Sequence, residues 1–213
     1  MSEMSTIESV INPISKNTPN ISVYVDSKSQ DGLDIQFTLT NTNHSIANAI
    51  RRVIITNIPC VVFKTFPHEE NLSTIHKNTS RLNNEILRQR LECIPVHITD
   101  ENIDLNELEV EIKVKNTDNV MRNVTTQDFK IRDLRTDKFI TDQERDKIFP
   151  ADNITKDHIM FCRLRPKISN DIPGEEIHIT SKLSVQTAKN SGAYNVASAC
   201  AYHFTEDKMK QDD

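Results

Sequence analysis

Apolar residues change their spacing several times along the chain, and each change marks an element. Ile21-Ser-Val-Tyr-Val25 and Ile35-Gln-Phe-Thr-Leu39 read as two strands. The link between them contains Asp31-Gly32, a turn signal, so an antiparallel hairpin is expected. From Asn43 the period lengthens to about 3.6 residues, the repeat of an amphipathic helix. Asn43 or Ser45 can cap its start, and Pro59 closes it after about Asn57. Ile46, Ile50, Val53 and Ile54 form one stripe, flanked by Ala47 and Ala49 and expected to bury against the chain's own sheet. Asn48, Arg51 and Arg52 lie on the other side with the apolar Ile55 among them, so this helix has two faces to use.

Val61 to Phe66 is a further strand, and the polar segment His68 to Lys77 is longer than a tight connection requires. Asn78 to Glu85 reads as a turn entering a short helix that ends near Leu91, with Pro95 as the stop and Val96-His-Ile98 re-entering a sheet. Leu108, Val110, Ile112 and Val114 alternate with charged residues, a half-buried strand. The remainder, to about Asp157, is charged and weakly periodic, so 100–157 is expected to be a small inserted subdomain. Ile159 to Leu164 is an apolar strand, Pro173-Gly174 a turn, and Ile177, Ile179, Leu183 and Val185 continue an antiparallel sheet. Val196 to Phe204 is the last strand candidate, and residues 1–20, rich in Ser, Thr and Asn, are expected to be a flexible tail.

Composition narrows the function classes. Aromatics are 5% of the chain and Trp is absent, which predicts a core of Ile, Val and Leu. The net charge of -5 argues against strong direct binding of nucleic acid, whose phosphates reward a basic face. Three glycines cannot build a phosphate-cradling loop. Four dispersed cysteines, Cys60, Cys93, Cys162 and Cys200, suit small buried hydrophobes in a reducing compartment. Neither a secretory signal nor a membrane span is apparent, so an intracellular protein is expected. His68, His76, Cys60 and Cys93 show no metal-ligand spacing. Asp142, Glu144 and Asp146 form an acidic run with no nucleophile and base nearby, and Ser80 suits a helix cap better than a nucleophile. Taken alone, Arg51 and Arg52 read as a solvated helix face, and Glu85 with Arg90 as a local ion pair.

Two long stretches change that reading. They are Asn43-His-Ser-Ile-Ala-Asn-Ala-Ile-Arg-Arg-Val-Ile-Ile-Thr-Asn-Ile-Pro59 and Asn78-Thr-Ser-Arg-Leu-Asn-Asn-Glu-Ile-Leu-Arg-Gln-Arg-Leu-Glu-Cys-Ile-Pro95. Together they resemble the signature of the alpha-like assembly subunits of RNA polymerases, the family of the archaeal D subunit and the eukaryotic third-largest subunit, relatives of the bacterial alpha N-terminal domain. Ala47, Asn48, Ile50, Arg51 and Arg52 match the first motif. Asn78, Thr79, Ser80, Glu85, Arg90, Leu91, Ile94 and Pro95 match the second, with Asn84, Glu92 and Cys93 departing from the usual Asp, Gly and Leu. Leu164 to Phe204 resembles the family's final sheet more weakly, and the middle of the chain is unmatched.

The resemblance implies an α+β fold: a discontinuous alpha-like dimerisation domain, an antiparallel sheet with helices over 21–99 and 158–213, interrupted by a β-rich insert. It implies a non-catalytic scaffold of a DNA-directed RNA polymerase. Its partners would be a smaller alpha-like subunit, the second-largest subunit and then other polymerase subunits, with no membrane and no strong nucleic-acid contact. Asn48, Arg51, Arg52, Ile55 and the matched residues of the second motif become interface candidates. No cofactor is carried over: relatives that hold zinc or an iron-sulfur cluster do so in the insert, and 100–161 contains no Cys. Relatives continue into a long amphipathic helix, which the polar Glu206–Asp213 does not supply, so the expectation is either a longer polypeptide, the preferred reading, or a reduced partner interface. The Asn- and Ile-rich, Gly-poor composition suits an AT-rich genome, such as that of a protist or a large cytoplasmic DNA virus. The compartment would be the nucleus in the first case and the cytoplasm or virion in the second. The rival readings are a free-standing alpha-like interaction module outside transcription and, with less support, a small enzyme.

Overall fold

The computed structural model describes residues 21–29, 32–98, 104–169 and 172–205. The tail 1–20 and the end of the chain after 205 lie outside the described residues. In chain order the elements are β1 (Ser22–Lys28), β2 (Ile35–Thr40), α1 (His44–Thr56), β3 (Cys60–Phe63), β4 (Ser73–Asn78), α2 (Asn84–Glu92), β5 (Leu108–Lys115), β6 (Arg122–Thr125), β7 (Phe129–Asp133), β8 (Lys138–Phe139), α3 (Asp142–Ile148), β9 (Met160–Leu164) and β10 (Glu176–Gln186). All strand pairings are antiparallel, an α+β fold. No helix among the described residues is long and apolar enough to cross a membrane.

The chain forms two compact units. The larger, residues 55–198, contains every buried residue described. Its organiser is β10, whose Ile177, Ile179, Ser181 and Leu183 alternate inward. β4 and β5 both pair with Ile177–Ser181, and β3 pairs with Leu183–Gln186. β5 then pairs with β7, and β7 with β8, to complete six strands; β6 and β9 form a separate pair. The segment expected as an insert therefore supplies β5, β7 and β8 to the same sheet as β3, β4 and β10. The smaller unit takes the described residues 21–54 and 199–205. In it β1 and β2 form the expected hairpin, and Gly32 sits in the link at φ +73°, a conformation natural to glycine.

Several expectations require correction. The core is less aliphatic than the composition implied, because four of the eight phenylalanines are gathered in it. Phe129 meets Phe63, Phe149 and Phe161 edge-on, at ring-centroid distances of 6.4, 5.5 and 5.8 Å, while Phe63 stacks on Phe149 at 6.1 Å. The polar connection 68–77 contains β4, a strand with one apolar residue that is held by its register on β10. The acidic run at Asp142 is α3, started by a capping box between Thr141 and Glu144. Hydrogen bonds from the Thr141 backbone and hydroxyl hold the Glu144 carboxyl below its ordinary range. Val96 to Ile98 forms no strand; the His97 N–H instead donates to the Ile148 carbonyl at the end of α3. Val196 to Phe204 is also without a strand. Cys162 alone among the cysteines is buried, and Cys93 is exposed.

A buried polar junction ties the ends of β5, β9 and β10. Asn116 is fully buried, and its Nδ2 donates to the carbonyls of Val120 and Leu164, both at 2.9 Å. Its Oδ1 accepts from the Asp118 N–H at 2.9 Å, and its own N–H donates to the Glu175 carbonyl. Gly174 passes so close that a Cβ there would lie 2.0 Å from the Asn116 carbonyl oxygen. Gly174→Ala is expected to destabilise the larger unit by roughly 1–3 kcal/mol or more, the cost of overpacking. Denaturant unfolding of the variant checks this, and wild-type stability would contradict it.

Candidate partner interface

The second motif is built first as structure. The Asn78 side chain organises the turn: Nδ2 donates to the Leu82 carbonyl and Asn84 Oδ1, both at 2.8 Å. Its Oδ1 accepts from the Ser80 N–H at 3.0 Å and the Ser80 hydroxyl at 2.7 Å. Ser80 is therefore not the helix cap; Asn83 is, its Oδ1 accepting from the Ile86 N–H at 2.9 Å. Thr79 prolongs the sheet beyond β4. Its N–H donates to the Glu176 carbonyl at 3.0 Å, and its hydroxyl accepts from the Glu176 N–H at 2.7 Å.

The α2 residues divide sharply. Leu91 and Ile94, expected at an interface, are 1% and 4% exposed and belong to the core with Leu87. Arg90 does not pair with Glu85; its guanidinium donates to the carbonyls of Phe161 and, at 3.2 Å, Met160, covering the backbone of β9. Glu85 is exposed in the first turn of α2, where its charge suits the helix dipole, and Pro95 is exposed after the helix. This motif places α2 between the main sheet and β9 and leaves the turn, Glu85 and Pro95 at the surface.

The first motif is different. Asn43 caps α1, its Oδ1 accepting from the Ile46 N–H at 3.0 Å. No residue of α1 is buried: the expected core stripe of Ile46, Ile50 and Ile54 is only half-covered, and Val53 is 53% exposed. Among the described residues of this unit, one two-stranded hairpin and one helix offer too few elements to close a core of their own. On the other face Arg51 Nε donates to Asn48 Oδ1 at 3.1 Å, which orients the guanidinium, while Arg52 is exposed and Ile55 half-buried.

The hairpin carries the residues that the motif reading did not single out. Val23 pairs with Leu39 and Val25 with Phe37, so these four share a face, and none is buried. Their alternation along both strands was the available signal. The smaller unit therefore presents an apolar hairpin face and an incompletely covered amphipathic helix, with forked Arg donors beside them. An arrangement of that kind suits contact with another protein. Among the described residues no group of three or more His, Cys, Asp or Glu could hold a metal.

Hairpin, capped helix and uncovered apolar faces are the features of a protein-pairing module. The sequence matches the family described as the RNA polymerase Rpb3/Rpb11 dimerisation domain over residues 36–162, from β2 into β9, and the chain belongs to that family. It is also similar to DNA-directed RNA polymerase II subunit RPB3 of Schizosaccharomyces pombe, 39% identical over 70 residues. That stretch is 33% of this chain and 20% of the relative, so the match spans about a fifth of the curated protein's length.

Two outcomes check the assigned roles. Arg90→Leu is expected to cost about 1.5–3 kcal/mol, the worth of hydrogen bonds from a charged donor, and Glu85→Gln under 1 kcal/mol, as for an exposed charge. Equal effects on unfolding free energy would contradict the division. Burial pushes the Cys162 thiol up to about 12, so in the native protein iodoacetamide at pH 8 should label Cys93 while Cys162 reacts only after unfolding. Mass spectrometry of the alkylated peptides reads this, and early labelling of Cys162 would contradict it.

Proposed function

We propose that this protein is a non-catalytic assembly scaffold of a multisubunit DNA-directed RNA polymerase. One observation carries the reading: a chain of the Rpb3/Rpb11 family leaves the apolar faces of its hairpin and α1 uncovered. A smaller alpha-like chain covers those faces, and burial of the apolar surface drives the pairing. The second-largest polymerase subunit docks on the polar side of α1, through Asn48, Arg51, Arg52 and Ile55. The surface turn Asn78-Thr79-Ser80, Glu85 and Pro95 extends that contact. Leu91, Ile94 and Arg90 act from beneath by fixing α2. On this reading 100–157 is an insertion whose strands have been taken into the main sheet. The scaffold needs no nucleic-acid contact of its own.

Co-expression with the smaller alpha-like subunit and the second-largest subunit of the same source tests the proposal. The double variant Val23→Asp/Val53→Asp should lose the smaller subunit from the purified complex, with the melting of the 55–198 unit unchanged. Arg51→Glu/Arg52→Glu should keep the smaller subunit and lose the larger one. Retention of both subunits by both variants would overturn the assignment. Partners unrelated to transcription would point instead to a free-standing interaction module.

A further inference from the structure

Two histidines far apart in the chain meet on the outer face of the main sheet. Ile177, Ile179 and Ser181 of β10 are buried, so the alternating His178 and Thr180 face outward. Glu111 and Lys113 of β5 do the same, since they alternate with the buried Val110, Ile112 and Val114. On β4 the ladder is irregular: Lys77 pairs with His178 and Ile75 with Ile179, which leaves His76 as the extra residue of a bulge. A bulge re-aims a side chain. Here it sets the exposed His76 against His178, with ring centroids 4.6 Å apart and planes tilted by 34°.

Both rings are held through Nε2. His178 Nε2 lies 3.0 Å from Glu111 Oε1, and His76 Nε2 lies 2.9 Å from the Thr180 hydroxyl. Glu111 and Thr180 are cross-strand partners, so one row of the sheet fixes both rings. A carboxylate only accepts, so His178 Nε2 carries the proton and the neutral ring keeps its lone pair on Nδ1. Thr180 can donate or accept, which lets His76 offer either nitrogen. Among the described residues neither Nδ1 atom forms a hydrogen bond.

An imidazole whose far nitrogen is tied to a carboxylate is the usual form of a metal-binding histidine. A metal–nitrogen bond of about 2.0–2.1 Å puts a ring centroid roughly 3.2 Å from the ion, so rings 4.6 Å apart subtend roughly 90° at it. That angle suits neighbouring positions of a square-planar or octahedral ion better than those of tetrahedral zinc. No group of three His, Cys, Asp or Glu among the described residues could hold the ion, so water completes its shell and Glu111 is a support rather than a ligand. Lys113 and Lys77, each opposite His178 on a neighbouring strand, oppose a cation here, although Glu176 holds Lys77 at 2.9 Å.

We propose that His76 and His178 form a two-histidine site for a divalent transition-metal ion of the copper(II) and nickel(II) class, which clips β4 to β10. β4 has one apolar residue and ends on Asn78, the organiser of the turn into α2, so the ion fastens the strand from which α2 is aimed. The site lies within the 55–198 unit and does not depend on the polymerase reading.

The test titrates metal-free, full-length protein with Cu2+, reading stoichiometry and affinity by calorimetry and the ligand set by electron paramagnetic resonance. One ion per chain should bind, with hyperfine coupling to two imidazole nitrogens and slower hydrogen exchange across β4. His76→Ala and His178→Ala should each weaken binding roughly tenfold or more. The exposed His68, on the link before β4, is the control, and His68→Ala should leave binding unchanged. No stoichiometric binding, coupling to a single nitrogen, an affinity indifferent to either substitution, or an equal loss in His68→Ala would each overturn the proposal.

Discussion

β10 is the constraint on which the larger unit depends. One strand of eleven residues holds β3, β4 and β5 in register, and it comes more than sixty residues after the last of them begins. The sheet therefore closes only when the chain through Gln186 is in place, a topology of non-local pairings that folds slowly compared with local helices. The second motif is fastened to the same strand: Thr79 exchanges hydrogen bonds with the Glu176 backbone, and Asn78 and Asn83 then set the turn and start α2. A run of residues that reads like a surface signature is, for half its length, the means by which α2 is aimed into the core.

The smaller unit inverts that logic. Its hairpin pairs well and its helix is capped, yet among the described residues it buries no side chain. Local hydrogen bonding specifies the shape and leaves the apolar surface uncovered. Exposed aliphatic faces of this kind are a liability in a free chain and an asset in an assembly, where their burial supplies most of the favourable free energy. The two motifs therefore do different work, one on a unit that closes on itself and the other on a unit that does not.

Much of this was legible in the residues. Alternation revealed β1, β2, β5 and β10, an apolar run revealed β9, and the 3.6 period with Asn43 and Pro59 bounded α1 to within a residue or two. What escaped had weak apolar periodicity. β4 has one apolar side chain and owes its place to β10, a tertiary fact. α3 is charged throughout most of its length, although Thr141-Asp-Gln-Glu144 was a readable capping box. Val196 to Phe204 had the apolar content of a strand but, among the described residues, pairs with none. At the interface, the residue types of α1 pointed to both of its faces, whereas Leu91 and Ile94 looked like contact residues only because a motif does not record which way its side chains turn. The hairpin face was present in the pattern and needed only the pairing of Val23 with Leu39 to become a surface.

The central claim is that the hairpin and α1 are completed by a partner while the β10 sheet is complete alone. Hydrogen exchange of the full-length protein, with and without the smaller alpha-like subunit, tests it most directly. In the free protein β10 and β5 should be strongly protected and residues 21–54 should exchange quickly; adding the partner should slow exchange across 21–54 and leave β10 unchanged. Strong protection of 21–54 in the free protein, or no change there when the partner is added, would contradict the account.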